Sequence, residues 1–475
     1  MDMELERQVD AYVDEVWEDV VADIADLVSY PSIADTSQAK EGAPLGAPVR
    51  GALDCALGIA KRLGYQTSDD DGYIGMADIP GESSKQIATI AHIDVVPAGP
   101  GWATDPFTME RREGWLLGRG VIDDKGPAVL SLYAGAYFLK HGVVPRYTFR
   151  ALLGCDEETG MTDVHHYLST HDDPAFLFTP DAEFPLCNAE KGQYGATFSS
   201  APVEGGAILS WSGAEATNAI PSESICVLAV DAAELPAPQA NAGRLTVEAD
   251  GEGRMRIFAQ GIGGHASLPA GTINAIGLIV GYLQEIAAAK PALFAAGERS
   301  FLDLLSVLHA DTDGTASGIA SSNEAFGPLT CNAGTITVTD GHIEQTIDVR
   351  FPDSTDPEAL SAVLVPLGEA HGATLAIDHA VPAFSTTAES PAVRALVETY
   401  NEVTGSDAKP FSMGGGTYAR HFARAVSFGP EEPATELPAW GGPMHGPNEC
   451  ASEALLKRAL KIYILALLKL QSVDL

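Results

Sequence analysis

At 475 residues the chain is longer than one compact core usually holds, so two or more domains are expected. Hydrophobic residues make up 45% and charged residues 20%, the balance of a folded globular protein rather than a disordered one. Lys and Arg total 28 against 65 Asp and Glu, a formal net charge of −37; such a surface repels phosphate backbones, excludes a nucleic-acid partner, and concentrates divalent cations and free ammonium groups.

Val9, Tyr12, Val13, Val16, Trp17, Val20, Val21, Ile24, Leu27 and Val28 recur every three or four residues, which predicts an amphipathic helix stopping before Pro31. A second helical pattern covers 52–63 and is closed by Gly64. Short apolar runs at 87–91, 147–153 and 176–178 read as buried strands, with a helix over 128–139 between the first two. This alternation predicts an α/β fold with a mixed, mostly parallel sheet flanked by helices. From about residue 192 the texture changes. Residues 200–255 are rich in Ala, Gly, Pro and Glu with short alternating strands, followed by a helix over 274–289 and a strand over 342–351. Helices return at 391–400 and 452–470, around a glycine-rich segment. The expected organisation is a first domain built from 1–191 and 385–475, interrupted by an inserted α+β domain at 192–384.

Six cysteines (Cys55, Cys155, Cys187, Cys226, Cys331 and Cys450) lie scattered without CxxC pairs, which suits neither a disulfide framework nor a zinc ribbon. The first residues are acidic rather than a basic flank before an apolar run, and no apolar stretch approaches the roughly 20 residues that span a bilayer. A cytoplasmic protein without membrane association is expected.

The polar clusters fall in a pattern. His92-Ile93-Asp94 follows the first predicted strand directly, Asp156-Glu157-Glu158 follows the second, and Asp181 follows the third after Thr179-Pro180. Taken singly, His92 is a turn residue, Asp156 or Thr159 a helix cap, and Asp181 the start of a turn. In α/β sheets, however, ligands gather at the carboxyl ends of strands, and here three strands deliver the same chemistry at that end. Imidazole with carboxylate suits zinc, with manganese or cobalt as alternatives. Asp94 is spaced to take the other ring N–H of His92. Glu157 and Glu158 are adjacent and diverge, so that one can ligate while the other accepts a proton. The loop from Gly118 to Gly126 opens the helix over 128–139; it lacks the G-x-x-x-x-G-K-[ST] spacing, and Asp123 and Asp124 would repel phosphate, so it reads as a carboxylate donor.

With Gly264-His265-Ala266 and Met444-His445-Gly446 added, these motifs resemble the co-catalytic zinc hydrolase family that includes carboxypeptidase G, aminoacylase, succinyl-diaminopimelate desuccinylase and peptidase V, over nearly the whole chain. The resemblance implies two divalent metal ions. Asp123, rather than Asp124, would bridge them, with His92 and Asp181 on one, Glu158 and His445 on the other. Glu157 would be the general base acting on a metal-bridged water, and Asp94 the partner of His92. The insertion would be a lid domain whose His265 polarises the scissile carbonyl. Arg350 would clamp a substrate carboxylate, unless it pairs with Asp348 or another acid. Asn218 would contact substrate, unless it only forms a turn, and Gly414, Gly415 and Gly416 would present backbone N–H groups to the carboxylate, unless they are a plain tight turn. His141, His165, His166, His171, His309, His342, His371, His379 and His421 match no motif and read as structural or surface residues. Aspartate rather than glutamate at 181, and an enlarged insertion, resemble the peptidase V-type dipeptidases: a small peptide substrate and a monomer are expected. The alternatives are an N-acyl amino acid or succinyl-diaminopimelate deacylase and, in another class, a catalytically inactive metal-containing binding module.

Overall fold

The computed structural model describes residues 3–203, 205–214, 216–231, 235–432 and 434–475. It divides into two compact units. The first comprises Met1–Asn188, Ser385–Phe411 and Gly416–Leu475; the second comprises Ala189–Phe384 and Ser412–Gly415.

In the first unit, Ser83–His92 lies in the middle of a nine-stranded mixed sheet, parallel to Tyr147–Gly154 on one side and to Phe176–Thr179 on the other. Ala425–Ser427 extends the parallel part beyond Phe176–Thr179, while Ile74–Ile79 and Gln66–Asp70 add antiparallel strands at the opposite edge. Ile87, Ala88, Ile90 and Ala91 are all buried, as a strand covered on both faces requires. The cover comes from Met3–Val28, Ala47–Leu63, Lys125–Lys140, Pro391–Thr404 and Glu453–Leu470, whose apolar faces share one core. Ala47–Leu63 begins earlier than its apolar pattern because Pro48 occupies the first turn, and it ends at Gly64, whose φ of 102° suits a residue without Cβ.

The second unit has its own core. One antiparallel sheet runs Thr330–Thr339, His342–Phe351, Gly192–Ser199, Thr374–Val381; another runs Ile208–Ser212, Glu223–Leu228, Met255–Gln260, Leu245–Ala249. Ala275–Ala289 is capped by Asn274, whose side chain accepts from the N–H groups of Ile276 and Gly277. Two further helices, Ala296–Leu308 and Pro357–Ala370, were not anticipated from the sequence. Pro366 inside the latter reads locally as a breaker, yet burial of Leu360 and Leu364 holds the helix together. Among the described residues no helix is long and apolar enough to cross a membrane.

Candidate metal centre

Three parallel strands end side by side, and the register sets His92 opposite Gly154. The segments that follow them, His92–Asp94, Cys155–Glu158 and Asp181, therefore emerge along the same sheet edge. Gly154 tolerates no side chain: a Cβ there would stand 2.2 Å from the Tyr418 hydroxyl. That hydroxyl donates to Asp163, whose carboxylate also accepts the N–H groups of Cys155 and Asp156 at 2.5 and 3.0 Å. Asp156 accepts from the N–H and hydroxyl of Thr162 and from the Thr159 hydroxyl, so it shapes the loop leading into Thr162–Thr170.

Asp123 sits between two imidazoles. Its Oδ1 lies 2.9 Å from His92 Nε2, and its Oδ2 lies 2.7 Å from His445 Nε2. His92 Nε2 is also 3.9 Å from Asp181 Oδ2, and His445 Nε2 is 3.3 Å from Glu158 Oε2. The donor atoms of His92, Asp123 and Asp181 thus cluster within 4.8 Å, as do those of Asp123, Glu158 and His445, with Asp123 common to both groups. Asp124 belongs to neither; its Oδ2 accepts the backbone N–H of His92 at 3.1 Å. His92 Nδ1 faces the Asp94 backbone carbonyl at 3.0 Å and the Asp94 carboxylate at 3.5 Å. That carboxylate accepts from the N–H groups of Glu157 and Glu158 at 3.3 and 3.1 Å, so Asp94 holds the acidic loop as well as facing the ring.

The electrostatics follow from burying carboxylates together. Burial, and then the nearby Asp181, raise the Glu157 carboxyl well above its ordinary range. Burial likewise pushes Asp181 up to about 7, and it raises Asp124 strongly. Burial disfavours a charged His92, but hydrogen bonds to Asp123 and Asp94 outweigh it and raise the ring's pKa. Asp123, followed by Glu158, pushes His445 up to about 10. Burial works against an ionised Asp123, yet the two histidines hold it below the usual carboxylate range. Such a set calls for positive charge, and Glu158 Oε1 is buried with no hydrogen-bond partner. Borderline divalent cations fit these oxygen and imidazole donors.

One buried ion pair was missed from the sequence. Glu449 accepts from Arg119 Nη1 at 2.6 Å and from the N–H groups of Gly120, Ile122 and Asp123 at 3.0, 3.2 and 3.4 Å. Arg119 also donates to the His445 carbonyl at 3.2 Å. The pair therefore ties the Asp123 loop to the His445 loop, and His445 has a φ of 59°, a left-handed value uncommon outside glycine. The available signal was Arg119 itself: a cation inside a loop read as a carboxylate donor needs an acid beside it. Glu431 was also missed. It lines a cavity of about 210 Å³ with Ile122, Glu183 and Met444, and burial, with repulsion from Glu183, pushes it up to about 8.

The remaining candidates belong to the second unit, except Gly416, which falls in the first. Ala219 pairs with His265 across a two-residue ladder, and the Asn218 carbonyl accepts the Ala266 N–H at 2.8 Å, so Asn218 sits in a turn that braces the His265 segment. The Ser267 N–H donates to His265 Nδ1 at 3.2 Å, and the Ser267 hydroxyl lies 2.7 Å from the same atom. An accepting Nδ1 leaves the proton on Nε2. Burial and the charge of Arg350 lower the His265 pKa. Arg350 does pair with Asp348, through Nε at 2.7 Å and Nη2 at 2.8 Å, and its Nη1 donates to the Gly414 carbonyl at 2.9 Å. Three of the five guanidinium N–H groups are thereby engaged. A Cβ on Gly414 would come within 2.6 Å of Ser267, which explains glycine there.

The chain is similar to several known proteins. YtjP of Bacillus subtilis (strain 168) is 31% identical over 429 residues, covering 87% of this chain and 90% of that protein. The Beta-Ala-Xaa dipeptidase of Lactobacillus delbrueckii subsp. lactis is 30% identical over 475 residues, covering 95% of this chain and 96% of the relative. Human carnosine dipeptidase 1 shares the fold, with a TM-score of 0.59 at 14% identity over 99% of both chains. The sequence pattern of peptidase family M20/M25/M40 matches residues 88–469, so the chain belongs to that family and is a metallopeptidase.

Proposed function

We propose that the protein is a dipeptidase whose centre holds two divalent ions, zinc foremost, with manganese or cobalt suited to the same donors. The observation that carries this reading is the Asp123 carboxylate, with one oxygen toward His92 and the other toward His445. The Lactobacillus relative, a dipeptidase by name, supports a short peptide as substrate. His92 and Asp181 would hold one ion, Glu158 and His445 the other, and Asp123 both. Bound there, the ions supply Lewis acidity that lowers the pKa of a water and polarises a carbonyl.

The chain's own groups do the rest. Glu157, raised in proton affinity by burial, takes a proton from the attacking water and returns it to the leaving amine. The Asp94 carboxylate accepts the Glu157 backbone N–H and so holds the Glu157 backbone in place. His265 donates through Nε2–H to the carbonyl oxygen as charge builds there. The two remaining N–H groups of Arg350, with the backbone of Gly414, Gly415 and Gly416, hold the terminal carboxylate, and Asn218 keeps the His265 segment in place. The enlarged insertion supports a monomer.

The test is Glu157→Gln. It should retain the metal content of the wild type while kcat falls by about 10²–10⁴. Near-normal turnover would remove Glu157 from the role. A panel of dipeptides against N-acetyl and N-succinyl amino acids tests the substrate class, and faster hydrolysis of the acylated compounds would make the enzyme a deacylase.

A further inference from the structure

A second group of imidazole and carboxylate donors lies in the first unit and shares no residue with the centre above. It forms where the edge strand Gln66–Asp70 turns toward Ile74–Ile79 and meets the helix Thr162–Thr170. Asp70 Oδ2 lies 3.7 Å from His166 Nε2, and Asp71 Oδ2 lies 3.9 Å from the same nitrogen. The donor atoms of Asp70, Asp71 and His166 all fall within 4.8 Å of one another. His171 Nε2 approaches Asp70 Oδ2 at 3.3 Å, and the Thr170 hydroxyl donates to that oxygen at 2.8 Å.

These spacings are informative. Donors placed about 2.0–2.2 Å from a shared tetrahedral zinc stand roughly 3.3–3.6 Å apart. His166 Nε2 stands slightly farther than that from each acid, at 3.7 and 3.9 Å, and is hydrogen-bonded to neither. A second, independent observation is that His166 Nε2 is buried with no hydrogen-bond partner. Its ring is already aimed: Tyr73 stacks on it with centroids 4.4 Å apart and planes 20° apart. His171 is fixed in the same manner by Tyr167, at 4.7 Å and 23°. A buried imidazole nitrogen without a hydrogen-bond partner beside two acids, within a chain of net charge −37, is a place where a dication gains.

We propose that Asp70, Asp71 and His166 bind a further zinc ion, with His171 and Thr170 orienting the Asp70 carboxylate. The imidazole selects a borderline dication over calcium or magnesium, which prefer oxygen donors throughout. The ion fastens the edge hairpin to the helix whose first turn carries Asp163, the acceptor that holds the Cys155 and Asp156 backbone. Its role is structural, and it stands whether or not the enzyme is a dipeptidase.

The experiment counts zinc per chain by elemental analysis, on full-length protein equilibrated at micromolar free zinc. His166→Gln and Asp71→Asn should each hold one zinc fewer than the wild type and hydrolyse peptide at the wild-type rate. Asp71 is 85% exposed in its side chain, so that variant keeps the fold even if His166→Gln does not. Asp123→Asn should lose zinc from the other centre and keep this ion, which separates the two assignments. Equal zinc content in the wild type and both variants of the new site would overturn the proposal.

Discussion

Replacing Glu449 by alanine tests how the two loops of the metal centre are held together. Arg119 is 1% exposed and Glu449 is fully buried, so neither charge can turn to water when its partner is lost. Removing one member of a buried ion pair costs about 3–5 kcal/mol. The N–H groups of Gly120, Ile122 and Asp123 lose their common acceptor as well, at about 1–3 kcal/mol for each that stays dry. These costs overlap because the loop relaxes, and about 5 kcal/mol is expected in total, close to the whole stability of a typical domain. Glu449→Gln keeps an oxygen for the backbone donors and loses only the charge opposite Arg119, about 2 kcal/mol. Arg119→Met with Glu449→Leu should recover part of the loss, since no charge is then left stranded. The assay is the shift of the urea midpoint at constant m, alongside metal content. Trp102 is a useful fluorophore here, with the Arg119 guanidinium 5.3 Å from its ring centre. An alanine variant within about 1 kcal/mol of wild type, with full metal content, would refute the reasoning.

His309 is buried against Gln345, and burial lowers its pKa from 6.5 to about 4. The unfolded chain therefore takes the proton first: the contribution of His309 to stability is constant above about pH 6.5 and falls toward pH 4 by up to about 1.4 kcal/mol per unit. His309→Leu should flatten that slope by one proton in urea unfolding across this range, and an unchanged slope would show that other groups set it. Asn274→Ala removes the cap of Ala275–Ala289 and the bond to the Ala333 carbonyl at 2.7 Å, for an expected loss of about 1–2 kcal/mol by denaturant unfolding. Arg350→Lys cannot reproduce the two-pronged contact with Asp348, so KM for dipeptides should rise at least about tenfold, with a far smaller effect on peptides amidated at the C-terminus. Equal losses on both substrates would place Arg350 in a purely structural role.

Much of the fold was legible because its causes are local. The three-and-four spacing from Val9 to Val28 is helical wherever it is packed, and the apolar runs around Ile87, Tyr147 and Phe176 have the length and flanks of buried strands. Where a local cue misleads, reading fails: Pro366 hides the helix Pro357–Ala370, because the burial that outweighs it comes from distant residues. The acids and histidine at the strand ends stood out for the same local reason, since a strand's end is visible in its own residues.

What faces what was decided only in three dimensions. Neighbouring Asp123 and Asp124 are chemically alike in the sequence, and the fold alone turns the first between His92 and His445 and the second onto the His92 backbone. Arg119 and Glu449 are 330 residues apart, and Asp70 and His166 lie on separate elements; no short-range pattern marks either as a partner. Periodicity is carried by adjacent side chains, but the partner of a buried charge is chosen by whichever segment packing brings there, and that choice belongs to the tertiary structure.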